Sequence, residues 1–261
     1  MAVDPIQAEG FALQVERLYA GLISTVDWVP QVSLLRPGIT ADAGAPEPAG
    51  APGLASETGD PDPSMGGKLL YAGKLDEEAR ALLVAANIAG AASLAASADA
   101  AAGKQALRDG VVDFLVTSLD EALRILKNEI RKRETVAVCV ALEPKTVEQE
   151  MLERGVAPDL ARPDAADSPK ENTLLCWRVA SQPSIWLPKL DAIAGASLGS
   201  KEVTARRWLR LAPRYLGRMA QGVRVLRCSE SAAANFIERV REEVESGGIG
   251  VRVEIKLSRE R

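Results

Sequence analysis

Cysteine, lysine, tyrosine and the carboxylates are the side chains available for proton transfer or nucleophilic attack, because none of the 261 residues is histidine. Ser–His and Cys–His nucleophile pairs and histidine-containing zinc sites are therefore excluded, together with the one side chain that titrates near neutrality without help. The three cysteines, Cys139, Cys176 and Cys228, are separated by 37 and 52 positions, which fits no metal-ligand or disulfide spacing. Cys139 lies in the most apolar run of the chain and reads as a buried thiol that packs rather than attacks. Cys176, Trp177 and Trp186 occur in a proline-spaced stretch. There, aromatic side chains either line a pocket or pin the segment to the core, and pinning is the reading favoured here. Arg206, Arg210, Arg214 and Arg218 recur every four residues, so a helix continued through Pro213 aligns them beside Trp208 and Tyr215. A basic stripe with aromatics can bind RNA or a phosphate-bearing ligand. A solvated face, or one that pairs with acidic segments, is the simpler expectation.

Charge limits these options further. The formal net charge is -4, so bulk attraction to nucleic acid or anionic lipid is not the expected function. Residues 201–261 hold 14 bases and eight acids, whereas residues 1–67 hold two bases and nine acids. The first residues lack a basic segment followed by an apolar one, so no secretory signal is read and a cytoplasmic location is expected. The run from Ala81 to Ala102 is apolar but mostly alanine, with Asn87, Ser93, Ser97 and Asp99 in it. It reads as a buried core helix rather than a membrane span.

The elements that would position these residues follow from periodicity. Residues 1–36 form an N-terminal extension with an amphipathic helix over 6–26, carried by Phe11, Val15, Leu18, Tyr19, Leu22, Ile23 and Val26. Residues 37–67 contain six prolines, seven glycines and six alanines with five acids and no base, the composition of a disordered linker. Residues 68–261 are the compact domain. Its first half alternates strand and helix: a strand at 68–71, a helix over 76–97, a strand at 111–116, a helix begun by Ser118 and Glu121, a strand at 135–141, and a helix capped by Thr146 and Gln149 that stops at Gly155. An irregular stretch over 158–188, helical segments to about 221, a strand at 223–227 and a helix over 231–246 come next. Val251 to Leu257 alternates apolar and charged residues, as an edge strand does. The whole predicts an α/β, doubly wound, mostly parallel sheet with an edge strand at its C-terminus.

Four segments carry a family resemblance. Ser64-Met-Gly-Gly-Lys-Leu-Leu-Tyr-Ala-Gly73, Ala89-Gly-Ala-Ala-Ser-Leu94, Val112-Asp113 with Thr117-Ser-Leu-Asp-Glu-Ala-Leu123, and Glu153-Arg-Gly-Val-Ala-Pro-Asp159 resemble, in that order, the central Rossmann-like domain of urocanate hydratase. The likeness covers roughly residues 64–160. It implies a Rossmann-like sheet and, in the family, a tightly bound NAD used as an electrophile in a lyase reaction of histidine breakdown. The family's flanking core segments, which complete its active site and dimer, have no visible counterpart.

The family's glycine-rich turn after the first strand lets backbone amides approach a diphosphate. Here the turn reads Gly73-Lys-Leu-Asp-Glu-Glu-Ala-Arg80, with side chains where the glycines would stand and three consecutive acids at a helix start. The acidic residue expected to hold the adenosine ribose falls at Ser97, two positions before Asp99. The family's active-site aspartate falls at Pro163, beside Asp164. The sequence therefore predicts no bound cofactor, no metal and no catalytic residue, and a non-catalytic relative that assembles as a homodimer through its sheet and N-terminal helix. The alternative is a small-ligand binder or lyase-like enzyme that reuses the crevice at the strand carboxyl ends near Gly73, Lys74, Thr117 and Asp164.

Overall fold

The computed structural model describes residues 4–24, 63–163, 173–220 and 222–259. Helix α1 (Pro5–Ser24) precedes a parallel unit made of β1 (Leu69–Lys74), α2 (Glu77–Ala89), β2 (Ala92–Ala96), α3 (Ala100–Arg108), β3 (Phe114–Val116), α4 (Leu119–Lys132), β4 (Val136–Val140) and α5 (Pro144–Glu153). A second unit follows: β5 (Thr173–Val179), α6 (Pro183–Ser197), α7 (Val203–Leu216), β6 (Val223–Cys228), α8 (Glu230–Glu245) and β7 (Val253–Arg259). Val26 and linker residues 37–62 lie outside the described residues. The last residues assigned to the linker belong to the fold, since Met65 is buried and its amide donates to the Ala89 carbonyl at 2.8 Å.

The first sheet is parallel throughout, in the order β1-β2-β4-β3. Its central strands, β2 and β4, are buried at every position, as strands covered on both faces must be. Leu70, Ala95, Ala137 and Cys139 point to the face packed by α1 and α2, with Ala106 of α3 in the same core. Leu69, Leu94, Val138 and Val140 point to the other face, packed by Leu119, Ala122 and Leu126 of α4 and Val147 and Met151 of α5. Helices on both faces make this the doubly wound, Rossmann-like arrangement that the alternating pattern predicts.

The expected single helix over 76–97 is two elements. Helix α2 ends at Ala89 because Gly90 adopts a left-handed conformation, φ 93°, and Ala91 N–H returns to the Ala86 carbonyl at 2.9 Å. A Cβ on Gly90 would come within 2.6 Å of Arg207 Nη2 and Ser64 Oγ, so close approach also requires glycine there. Arg207, buried on α7, donates through Nε to the Ile88 carbonyl at 2.9 Å and places a cation at the negative end of α2. Alanine suits both a helix and a tightly packed strand, so Ala92–Ala96 became the fully buried β2. The apolar run therefore folds as a buried helix, a buried strand and the exposed first turn of α3, and no helix among the described residues is long and apolar enough to cross a membrane.

Two further elements differ from expectation. Helix α5 starts at Pro144 with Glu143 at the cap position and no side-chain cap, so Thr146 lies inside its first turn. The stretch read as irregular over 158–188 contains β5, the central strand of an antiparallel sheet ordered β6-β5-β7. Its residues are apolar at nearly every position, so period-two alternation was absent. Trp177 is fully buried there and packs on Phe236 with ring centroids 4.9 Å apart. The C-terminal strand is an edge strand, as its alternation predicts, but of this second sheet.

Helix α1 is held between the two sheets' helices and strands. Its Ala8, Ala12, Val15, Tyr19 and Leu22 are buried in the same core as α2, α7 and β6. Glu16 on α1 receives two hydrogen bonds from Arg227 on β6, Nε to Oε1 at 2.9 Å and Nη2 to Oε2 at 2.8 Å, with both side chains less than a tenth exposed. Paired carboxylate and guanidinium forks of this kind combine charge with geometry. Tyr19 donates to the Thr204 carbonyl at 3.0 Å and lies against Trp208. Breaking a buried pair leaves one charge without its partner. Arg227→Met is expected to lower unfolding free energy by about 3–5 kcal/mol in urea titrations, whereas Arg241→Met, at the exposed pair with Glu238, changes it by less than about 1 kcal/mol.

Candidate functional site

In open α/β sheets a ligand crevice forms beyond the carboxyl ends of the strands, where neighbouring strands send their chains to opposite faces. Here that point lies between β2 and β4, since β2 leads into α3 on one face and β4 into α5 on the other. The residues at the switch are Ser97, Ala98 and Asp99 after β2, and Ala141, Leu142 and Glu143 after β4. The first amide after each strand is already engaged: Ser97 N–H donates to the Val140 carbonyl at 3.0 Å, and Ala141 N–H to the Val116 carbonyl at 2.8 Å. Asp99 caps α3 by accepting from Ala101 N–H at 2.8 Å, and Ser97 Oγ donates to the Asp99 carbonyl at 3.3 Å. Sequence reasoning missed this junction because β2 was hidden inside an apparent helix. The Gly90-Ala91 pair was the available signal, a helix stop ahead of an apolar run.

The sequence-predicted crevice residues fall at the same end of the sheet but not together. Gly73 and Lys74 close β1, and Thr117 follows β3 directly. These strands are the two outer positions of the sheet, so roughly 14 Å of strand spacing separates them. Gly73 has φ 74° at a register irregularity between Tyr71 and Gly73, and a Cβ there would meet nothing within 4 Å. Backbone conformation, not space, calls for glycine at this position. Lys74 and Thr117 are exposed. Asp164 lies outside the described residues.

The start of α2 decides what the β1 turn can hold. Asp76 is the N-cap, and its Oδ1 accepts from Ala79 N–H at 2.9 Å. Glu77 and Glu78 occupy the first turn, and Glu78 pairs with Arg162 at 2.6 Å. Leu75 N–H donates to the Ala96 carbonyl at 2.9 Å, and Arg80 pairs with Asp109. The positive end of the helix therefore meets carboxylates of its own chain. A cavity of about 580 Å³ beside this turn is lined by Gln7, Gln14, Glu77, Arg80 and Asp109 among others, a set without an unpaired base. Another, of about 750 Å³, opens at the amino ends of β3 and β4, the opposite end of the sheet from the crevice.

The cysteines and the arginine series are the other chemistry-bearing residues that the sequence singles out. Burial pushes the Cys139 and Cys176 thiols up to about 11 and the Cys228 thiol up to about 12. No cluster of Cys, Asp or Glu among the described residues is arranged to hold a metal ion. Arg206 donates to the Leu198 carbonyl at 2.5 Å and to those of Gly195 and Gly199, capping the end of α6. Arg214 stacks on Tyr215, and Trp208 is buried with its indole N–H on the Val225 carbonyl. Trp208 is thus not presented to a nucleic-acid base, and the side chain of Arg218 lies outside the described residues.

Residues 59–166 match the family model of the urocanase Rossmann-like domain. The match spans the whole parallel sheet, so the resemblance carried by the four sequence segments stands. This part of the chain is a partial urocanase Rossmann-like domain, and α1 and the antiparallel sheet fall outside it.

Two outcomes follow from the geometry. Because the thiols are held as the protonated form well above neutrality, all three cysteines should resist alkylation by iodoacetamide at pH 8 and react only after unfolding, as read by mass spectrometry. Asp76→Ala should cost about 0.5–2 kcal/mol of stability in urea titrations through loss of the α2 cap.

Proposed function

We propose that this urocanase-related Rossmann protein is a non-catalytic relative, without a dinucleotide, that works in the cytoplasm as an assembly or binding module and self-associates as a homodimer. The start of α2 carries the reading. A diphosphate on a Rossmann sheet is held by the amides of the glycine-rich turn and the helix end behind it. In this chain Asp76 occupies that end and Glu77 and Glu78 extend the negative charge along its first turn. Two like charges about 4 Å apart repel by about 1–4 kcal/mol across the usual range of local dielectric, which corresponds to roughly five- to several-hundred-fold weaker binding for each pair. The residues present do not fit NAD. At the ribose position Ser97 stands in place of an acid, and Asp99 is committed to α3.

A second reading, a ligand binder or lyase-like enzyme at the carboxyl-end crevice, draws on the β2/β4 switch point. Against it, Gly73 and Thr117 are on opposite edges of the sheet, and the first amides after β2 and β4, those of Ser97 and Ala141, are already paired. Native mass spectrometry of the purified protein tests the proposal: the mass of the polypeptide alone is expected, and a retained nucleotide overturns it.

A further inference from the structure

The assembly reading leaves the interface unassigned, and α1, whose apolar stripe the sequence offered for it, spends that stripe on its own core. We infer that β7 is the interface, pairing antiparallel with the β7 of a second copy so that two three-stranded sheets become one of six; this rests on the assembly reading above.

Strand β7 is seven residues long and, among the described residues, pairs only with β5. A long unpaired edge presents a row of amides and carbonyls that another strand can complete. Its two faces differ. Ile255 lies in register with Trp177, which packs on Phe236, and Leu257 borders a groove of about 500 Å³ with Ala233, Ala234 and Ile237 of α8. Leu257 is 53% exposed there, so the apolar row of β7 continues to the open edge. The opposite row is charged: Lys256 reaches Glu9 of α1 at 2.7 Å, and Arg178 of β5 holds Glu254.

A twofold axis normal to the sheet keeps each face with its like, so the centre of pairing must fall on a residue. Centred on Glu254 or Lys256, the strand opposes a charge to its own copy. Centred on Val253, most of the strand extends past its partner; centred on Leu257, Ile255 stands opposite Arg259 and Lys256 opposite Ser258, so neither the apolar nor the charged row finds its complement. Centred on Ile255, Val253 stands opposite Leu257, and Glu254 stands opposite Lys256, twice by symmetry. The apolar row meets itself beside the α8 groove. The charged row becomes an alternating series running Arg178, Glu254, the partner's Lys256 and the partner's Glu9. Opposite charges directly across a strand pair stabilise it and like charges destabilise it. Self-complementarity of this kind is what an isologous dimer requires.

Charge reversal tests the register. In Glu254→Lys both members of each cross-strand pair are lysine; in Lys256→Glu both are glutamate. Each variant alone should self-associate about 10- to 100-fold more weakly than the native chain in sedimentation velocity, with an unchanged circular dichroism spectrum. An equimolar mixture of the two should recover a dimer, and native mass spectrometry should show it to contain one chain of each kind. A native dimer that both reversals leave intact, or variants that fail to recover on mixing, would overturn the β7 assignment and leave the assembly reading standing. A native chain that stays monomeric at every concentration overturns both.

Discussion

The contact between the Asp76 carboxylate and the amide of Ala79 is the interaction on which the account turns. On a Rossmann sheet the helix after the first strand offers its positive end to whatever lies in the crevice. Here that end is met by its own N-cap, with two more acids in the turn behind it. A sheet keeps its helices on both faces whatever that helix end meets, so the scaffold and the chemistry at its crevice are separate matters. The parallel order, the buried central strands and the family match all concern the scaffold, and they are independent of this one helix end.

The scaffold is held by interactions that the crevice does not share. Arg207 reaches from α7 to the far end of α2, where it meets the Ile88 carbonyl, and Glu16 on α1 grips Arg227 on β6. These two guanidinium contacts tie the antiparallel unit and the N-terminal helix to the parallel unit. Both lie away from the strand carboxyl ends. The packing of a core arranged in this way does not depend on what the crevice holds, because its anchoring charges are satisfied elsewhere.

Much of this was legible in the sequence, and the exceptions have physical causes. Strand β4 was plain because Val136 to Val140 is apolar throughout, and α4 because Ser118 and the amide of Glu121 form its cap. Helix α1 and the edge character of β7 were visible from periods of 3.6 and 2. Strand β2 was not, because alanine carries no strong preference of side-chain shape and Gly90 stood inside what looked like a continuous helical run. Strand β5 was hidden for the converse reason: apolar at nearly every position and flanked by prolines, it lacked alternation. Gly73, Lys74 and Thr117 do lie at strand carboxyl ends, but the reading grouped Gly73 and Thr117 in one crevice. Their distance depends on the strand order β1-β2-β4-β3, which no local pattern encodes.

The most direct measurement is calorimetric titration of NAD at low ionic strength into the native chain and into a variant carrying Asp76→Ser, Glu77→Gln and Glu78→Gln, where the charge at the α2 start is removed and the cap is kept. The account predicts no saturable heat with the native chain and saturable heat only with the variant. Saturable NAD binding by the native chain would contradict it.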